Sequence, residues 1–290
     1  MDVADQFVLV EMLGRLWGSL ALRPYVFGFA AVYLTGAAAA WGWRRAAAFT
    51  VWAFALAFAA EWSSTRVGVP FGLYHYTGST AGRELYLSNV PFFDPLSFTF
   101  LAYASLGLAA ELLGRGRSVP VPGAGRGQRA DAWARIRLAG LTGFLMMWLD
   151  VVIDPLAVRG DRWFLGRIFY YPELGWYFGV PLANFAGWMV VGTAIAWGWT
   201  ILGPRVGGAP RAWGRRYPGH GRQAVVLYYL VLAFNLAVTA AVAEPVLLWA
   251  GVLLHMPLAV VVVCSLRSRT QTDRVPVCAG DGVSLGERSP

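Results

Sequence analysis

The chain has 290 residues, of which 57% are hydrophobic and only 14% are charged, and its mean hydropathy is +0.52. Soluble domains usually carry about 25% charged residues, so this composition excludes an ordinary soluble domain. The formal net charge of +8 comes entirely from arginine, since the sequence contains no lysine. A chain without lysine cannot form the Schiff base by which retinal proteins hold their chromophore.

The N-terminal segment, residues 1–23, carries acidic residues and lacks the basic start and apolar core that are typical of a signal peptide. Phe7, Val10, Leu13 and Leu16 follow a rough helical stripe along this segment. We therefore expect it to be a separate N-terminal element, in the form of a short helix at the membrane interface.

Seven apolar stretches follow, and each is long enough to cross a bilayer as a helix. They cover residues 25–43, 46–62, 93–113, 138–156, 181–202, 225–242 and 245–266, and a tight turn at 43–45 joins the first two. The sequence thus predicts an all-α fold, a polytopic membrane helix bundle of about seven transmembrane helices over residues 24–266. The polar tail, residues 267–290, is predicted to be disordered.

The arginines are distributed unevenly between the two sides of the predicted bundle. Seventeen fall in the C-terminal tail and in the loops that join predicted helices 1 and 2, 3 and 4, and 5 and 6. Seven fall on the opposite side. The positive-inside rule then predicts an N-terminus outside and a cytoplasmic C-terminus, which agrees with an odd number of helices. We expect the cell inner (cytoplasmic) membrane as the location.

Two aspartates lie in one of the most apolar stretches of the chain, at the outer end of the fourth predicted helix. Asp150 and Asp154 are four residues apart, so on a helix they share one face. Ionisable residues at membrane depth are rare and usually mark a functional site. Glu61 and Asn184 are predicted to lie at the same end, next to two aromatic outer loops, residues 63–90 and 157–180.

Structural interpretations of these residues stay open at this point. Asp154 precedes a proline and could simply end the fourth helix at water. Asp150 could form an ion pair with Arg66 or Arg159, and Glu61 could be an interfacial acid. With three histidines in the chain, a histidine-based metal centre is not predicted.

Three blocks at this end resemble the CruF-type carotenoid 1,2-hydratase family of integral-membrane carotenoid biosynthesis proteins. Residues 61–77 match a Glu…Gly-x-Pro-Phe-Gly-x-Tyr-x-Tyr signature, residues 150–155 match Asp-x-x-x-Asp-Pro, and residues 177–188 match Tyr-Phe-Gly-x-Pro-x-x-Asn-Phe-x-Gly-Trp. Residues 90–103 depart from the family pattern, since they contain Asp94 and no tryptophan. No role is assigned to Asp94.

The resemblance implies that water is added across the terminal 1,2 double bond of an acyclic carotenoid end, which gives a tertiary 1-hydroxy group. The implied partners are a carotenoid substrate drawn from the lipid bilayer, water and membrane lipid, without nucleic acid. The reaction adds a proton at C2 and captures the cation at C1 with water, so no cofactor and no metal are expected.

The chemistry requires an acid, and two carboxyl groups close together and out of water are suited to hold one proton between them. We predict Asp150 as the proton donor, Asp154 as a tuning group or base toward water, and Glu61 as the alternative acid. Aromatic faces can stabilise a cation by about 0.5–2 kcal/mol each. The predicted substrate-binding residues are Trp62, Arg66, Tyr74, His75, Tyr76, Trp148, Asn184 and Trp188.

Two other functions remain open on sequence grounds. A membrane lycopene cyclase begins with the same protonation, but an internal double bond captures the cation. A small-molecule or proton transporter would use the acids as a relay, although neither an inverted repeat nor a pair of broken helices is apparent.

Overall fold

The computed structural model describes residues 3–114, 128–207 and 222–272. Within these residues the chain forms eight α-helices and four two-residue strands. The helices are α1 (Val3–Leu22), α2 (Pro24–Trp41), α3 (Trp43–Val67), α4 (Phe93–Leu112), α5 (Gln128–Ala157), α6 (Leu182–Leu202), α7 (Gln223–Ala241) and α8 (Pro245–Thr272). The strands are β1 (His75–Tyr76), β2 (Tyr86–Leu87), β3 (Val90–Pro91) and β4 (Phe169–Tyr170).

Seven of these helices, α2 to α8, are long and apolar enough to cross a membrane. This confirms the predicted all-α, polytopic bundle of about seven spans, and the observed bounds lie close to those expected from hydropathy. The orientation of the termini stays a prediction. The N-terminal segment is helical from Val3 to Leu22, and most of the predicted tail lies outside the described residues.

Local chemistry accounts for the helix ends that shape the bundle. Gly42 takes a φ of 85° between α2 and α3, so the turn lies there and not at residues 43–45, which begin α3. Gly68 adopts the left-handed conformation that commonly ends helices and donates its N–H to the Ser64 carbonyl oxygen. Pro155 does not end α5, which continues to Ala157.

Helix α4 lies at the centre of the packing. It contacts α2, α3, α5 and α7, and nearly all of its side chains from Phe98 to Glu111 are buried. Helix α5 packs most extensively along α6. By its contacts the chain divides into two units, Met1–Val252 and Leu253–Pro290, and the described part of the second is the C-terminal portion of α8.

Two long loops meet at one end of the first unit. The α3–α4 loop covers residues 68–92 and the α5–α6 loop covers residues 158–181. Strands β1 and β4 pair in antiparallel register, with His75 opposite Tyr170 and Tyr76 opposite Phe169. Thr77 extends this pairing, because its N–H donates to the Ile168 carbonyl oxygen at 2.8 Å. The loops therefore hold each other over the ends of the helices.

A buried arginine at the junction of α1 and α2 fastens both loops to the bundle. Arg23 donates from Nη1 to the carbonyl oxygen of Leu165 at 2.8 Å and from Nη2 to Glu84 Oε1 at 3.4 Å. Its guanidinium lies 4.6 Å from the centre of the Phe93 ring at the start of α4. A single charged side chain thus contacts the α5–α6 loop, the α3–α4 loop and α4.

Close packing of α6 against the α3–α4 loop makes Gly187 sensitive to substitution. A Cβ at this position would lie 2.6 Å from the Pro70 carbonyl oxygen and 2.6 Å from Phe71 Cδ1. We expect Gly187→Ala to destabilise the fold by about 1–3 kcal/mol through overpacking. Thermal unfolding in detergent micelles measures this effect as a lower midpoint temperature. Gly140→Ala is the matched control, because no atom lies within 4 Å of its added Cβ; equal midpoints for the two variants would contradict the expectation.

Candidate active site

Acidic and tyrosine side chains surround a cavity beneath the two loops. This acidic chamber contains about 340 Å³ of empty space. Its walls come from α3, α4, α5, α6 and both loops, and consist of Glu61, Phe71, Tyr74, Tyr76, Asp94, Phe98, Asp154, Phe169, Tyr171, Asn184 and Trp188. The cis peptide between Val69 and Pro70 lies in the loop segment that precedes the first of these aromatic residues.

Tyr76 joins two acids from different helices. Its hydroxyl donates to Asp94 Oδ2 at 2.6 Å and is 3.3 Å from Glu61 Oε2. The Tyr74 hydroxyl lies 3.4 Å from the same oxygen atom of Tyr76. Glu61 is buried at the end of α3 and Asp94 is half-buried at the start of α4. This arrangement forms a hydrogen-bonded network, Glu61–Tyr76–Asp94, on one wall of the chamber.

Asp154 belongs to another part of the chamber wall, and Asp150 lies one helical turn before it on α5. Asn184 donates from Nδ2 to Asp150 Oδ2 at 2.7 Å, and the Tyr171 hydroxyl donates to Asp154 Oδ2 at 3.0 Å. The two carboxyl groups lie one helical turn apart on α5, and both are buried. Among the described residues, no amide or hydroxyl donor reaches Asp150 Oδ1, although this oxygen is fully buried. Two buried carboxyl groups in this arrangement are suited to hold one proton between them.

Three loop tyrosines complete the chamber as hydrogen-bond donors. Burial raises the pKa of the Tyr74, Tyr76 and Tyr171 hydroxyls well above the usual value, and nearby carboxylates raise it further. These hydroxyls consequently keep their protons at neutral pH. Tyr76 and Tyr171 donate to carboxyl groups, and Tyr74 contacts the Tyr76 hydroxyl.

A second, apolar cavity opens beside the chamber. This apolar cleft contains about 750 Å³ of empty space, including space that is open to its surroundings. Helices α2, α4, α5, α6 and α7 contribute most of its wall, and the α5–α6 loop closes one end. Its lining includes Tyr25, Val26, Phe29, Phe93, Phe100, Leu101, Ile153, Ala157, Trp163, Leu165, Ile168, Val231 and Phe234.

Four residues line both cavities and so mark the junction between them. They are Asp94, Asp154, Phe169 and Trp188. The indole of Trp188 stacks on Phe98 with a centroid distance of 4.2 Å and an interplanar angle of 12°. Two carboxyl groups and two aromatic rings are thus presented together, at the point where an apolar binding surface meets a polar one.

The sequence-predicted residues fall into two groups. Glu61, Asp154, Tyr74, Tyr76, Asn184 and Trp188 line the chamber, and Asp150 lies behind Asp154, in contact with Asn184. The other four predicted residues are not among the described residues that line the chamber or the cleft.

Contacts explain the positions of these four residues. Arg66 stacks over Trp62 at 4.1 Å and donates to Asn89 Oδ1 at 2.9 Å. Trp148 stacks on Phe144 along α5, with a centroid distance of 5.3 Å. His75 faces the Tyr170 ring across the β1–β4 pair. An ion pair between Asp150 and either arginine, the structural alternative considered from the sequence, is not present among the described residues: Arg159 instead pairs with Glu244.

Asp94 and Tyr171 were not predicted as site residues, yet both lie in the chamber. Asp94 begins the third apolar span, directly after two phenylalanines, and a polar residue at that end of a span was the available signal. Tyr171 was one aromatic residue among many in its loop. No group of three or more His, Cys, Asp or Glu residues suited to a metal ion occurs in the described parts of the chain.

Comparison with known proteins relates this site to carotenoid metabolism. The chain is 30% identical over 190 residues to the bisanhydrobacterioruberin hydratase of Haloarcula japonica, a match covering 64% of this chain and 57% of that protein. No solved structure matches the chain. A family model described as "Carotenoid biosynthesis protein" matches residues 22–263, which include α2 to α7, most of the span in α8 and both loops of the site. The chain therefore belongs to the carotenoid biosynthesis protein family.

Proposed function

We propose that this protein hydrates a carotenoid, adding water across the terminal 1,2 double bond of an acyclic end to give a tertiary 1-hydroxy group. One observation carries the proposal: the apolar cleft and the acidic chamber share two carboxyl groups and two aromatic rings. The hydratase named above, which covers part of this chain, supports the same reaction class.

The cleft suits the substrate's shape and solubility. A polyene is an apolar rod that resides in the bilayer, and the cleft is walled by five membrane-spanning helices. Aromatic side chains such as Phe29, Phe93 and Phe234 offer flat surfaces for a conjugated chain. A carotenoid that enters from the lipid would place its reactive end at the junction, beside Asp94 and Asp154.

Proton delivery is assigned to the aspartate pair. Asp154 lines both cavities and so can reach a double bond in the cleft, whereas Asp150 lies behind it and can hold the shared proton. The proton moves from the carboxylic acid to C2, and the electron pair of the double bond forms the new C–H bond. A tertiary cation is left at C1.

The cation then needs groups that stabilise positive charge, and the attacking water needs a base. The rings of Trp188 and Phe169 present electron-rich faces at the junction, which stabilise positive charge at C1. Asp94, held by the Tyr76 hydroxyl at 2.6 Å, acts as the base toward water. Oxygen bonds to C1, the water proton passes to Asp94, and transfer through the chamber restores the acid. The net change is one water added per reacted end.

Expression in a lycopene-producing bacterium tests the function. Pigments extracted from these cells are expected to gain the mass of one water for each reacted end. A cyclic product of unchanged mass would assign the protein to the cyclases instead, and unmodified lycopene alongside membrane-inserted protein would oppose this carotenoid as the substrate. Supplying other acyclic carotenoids in the same host then defines the accepted ends.

Removal of the Tyr76 hydroxyl should impair water activation and leave the fold intact. Tyr76→Phe loses both the 2.6 Å bond to Asp94 and the contact to Glu61, so we expect hydration to fall by about 10–100-fold. The turnover of carotenoid by membranes with matched protein content measures this loss. Tyr170→Phe removes a hydroxyl from an exposed loop residue outside the chamber and serves as the control. Equal turnover by the two variants would remove Tyr76 from the mechanism.

A further inference from the structure

A third cavity lies on the other side of Tyr76. This polar vestibule contains about 620 Å³ of empty space and is lined by Arg15, Tyr76, Thr77, Gly78, Ala81, Gly82, Glu84, Tyr86, Ser88 and Asn89. All of these residues lie in α1 or the α3–α4 loop, outside the seven apolar spans. The cleft, in contrast, is built mainly from the spans. The vestibule is therefore built outside the spans, whereas the cleft lies mainly between them.

The vestibule wall contains a buried carboxylate with unused hydrogen-bonding capacity. Glu84 is 1% exposed, and its Oε1 accepts from Arg23 and from the Thr80 hydroxyl. Its Oε2 is buried and accepts no hydrogen bond from any described residue. The side chains of Thr77, Ser88 and Asn89 also line the vestibule, and their hydroxyl and amide groups can hydrogen-bond to water.

Tyr76 separates the vestibule from the chamber. It lines both cavities, and its hydroxyl is directed to Glu61 and Asp94 on the chamber side. The cleft and the chamber, as described above, meet at Asp94 and Asp154. The chamber thus has an apolar neighbour on one side and a polar neighbour on the other.

We infer that the vestibule is a water-binding site that supplies the acidic chamber with the second substrate, past Tyr76, while the carotenoid enters through the cleft. This inference rests on the proposed hydration. Each turnover consumes one water, which forms the C1–O bond and releases one proton to the chamber carboxylates. A cleft filled by the polyene cannot admit that water. A separate polar route therefore lets water reach the chamber while the carotenoid is bound.

A plug in the vestibule tests the route without relying on the hydration reaction. Ala81 is exposed and lines the vestibule, whereas Ser79 is exposed in the same loop outside the lining, so Ala81→Phe and Ser79→Phe form a matched pair. Each is combined with Tyr76→Cys in a chain whose native cysteines are replaced by serine. The rate at which a small hydrophilic thiol reagent modifies Cys at position 76 is measured in membranes. We expect Ala81→Phe to slow this rate by about tenfold and Ser79→Phe to leave it unchanged. Equal rates would overturn the inference.

The second test compares kcat and KM for hydration in chains that retain Tyr76. Ala81→Phe is expected to lower kcat for hydration by about tenfold while KM for the carotenoid stays within about twofold, because the cleft is untouched. A raised KM with unchanged kcat would overturn the route. An inactive parent chain would overturn the proposed hydration instead, and the thiol-modification rates would still decide where water enters.

A group that is attached reversibly after folding distinguishes a blocked vestibule from a misfolded protein. Ala81→Cys is introduced in the serine-substituted chain with Tyr76 intact, and a bulky disulfide-forming reagent is attached after membrane insertion. Turnover is expected to fall on modification and to recover when a reductant removes the group, whereas Ser79→Cys treated in the same way keeps its activity. Full turnover by the modified Ala81→Cys chain, with labelling verified by mass, would overturn the inference.

Discussion

Replacing Asp154 by asparagine is expected to lower carotenoid hydration by at least about 10³-fold. Asp154 lines both the cleft and the chamber and lies one helical turn from Asp150, which is why we propose it as the proton donor. An amide at this position keeps the size of the side chain and can still accept from the Tyr171 hydroxyl. It cannot give up a proton as an acid, so the chemistry should stop while the protein remains in the membrane.

Controls separate acid catalysis from folding in this experiment. Asp161→Asn makes the same change at an exposed loop position outside both cavities and should keep full activity. Asp150→Asn should lose most activity too, because Asp154 then has no partner with which to share a proton. Turnover is measured with purified protein in liposomes at matched protein content. Full activity of Asp154→Asn would remove Asp154 as the donor, and loss only in Asp150→Asn would return that role to Asp150.

The second large effect is expected at Asp94. Asp94→Asn should reduce turnover by about 10²–10⁴-fold, because water then attacks without a base. Since the neutral amide retains a hydrogen-bond acceptor for Tyr76, the wall of the chamber should be preserved. The affinity for carotenoid, followed by quenching of tryptophan fluorescence, should change little, because the apolar cleft provides most of the binding surface.

A clear outcome would contradict the role of Asp94. If Asp94→Asn weakened carotenoid binding and kept the rate of the bound complex, Asp94 would be a binding residue and not a base. Glu61→Gln is the informative companion, since Glu61 contacts the same Tyr76 hydroxyl but does not line the cleft. A smaller loss in Glu61→Gln than in Asp94→Asn is expected.

The membrane-spanning helices could be predicted from the sequence, and so could the end of the bundle at which the site lies. Both depend on simple sequence patterns. Membrane helices need long apolar stretches, and acids inside such stretches stand out against them. The four-residue spacing of Asp150 and Asp154 placed them on one face, and the structure confirms that both are buried together. The antiparallel order of the helices brought Glu61 and Asn184 to the same end.

The direction of each side chain was harder to predict from composition. Successive residues on a helix point about 100° apart, so Glu61 faces the chamber while Trp62 is 43% exposed. In an extended segment, neighbouring residues point to opposite faces. Tyr74 and Tyr76 therefore line the chamber, and His75 between them does not. Because these residues are neighbours in the sequence, we predicted all of them as site residues. The backbone geometry directs only some of their side chains into the chamber.

The cavities themselves have no counterpart in any single segment. The cleft needs five helices and the vestibule needs the α3–α4 loop folded against α1, so neither follows from periodicity. Asp94 gains its importance only from this packing, which brings it to the junction with Asp154. Long-range contacts such as the pairing of β1 with β4 also join loops about ninety residues apart in the chain.

We propose that an acid of this chain protonates the carotenoid end and that water, not molecular oxygen, supplies the hydroxyl group. Purified protein in liposomes, supplied with an acyclic carotenoid in water enriched in both deuterium and heavy oxygen, tests it most directly. We expect a product with one heavy oxygen at C1 and one deuterium on C2 for each reacted end. A hydroxyl oxygen that comes from dissolved oxygen, or a deuterated cyclic product without added oxygen, would contradict it.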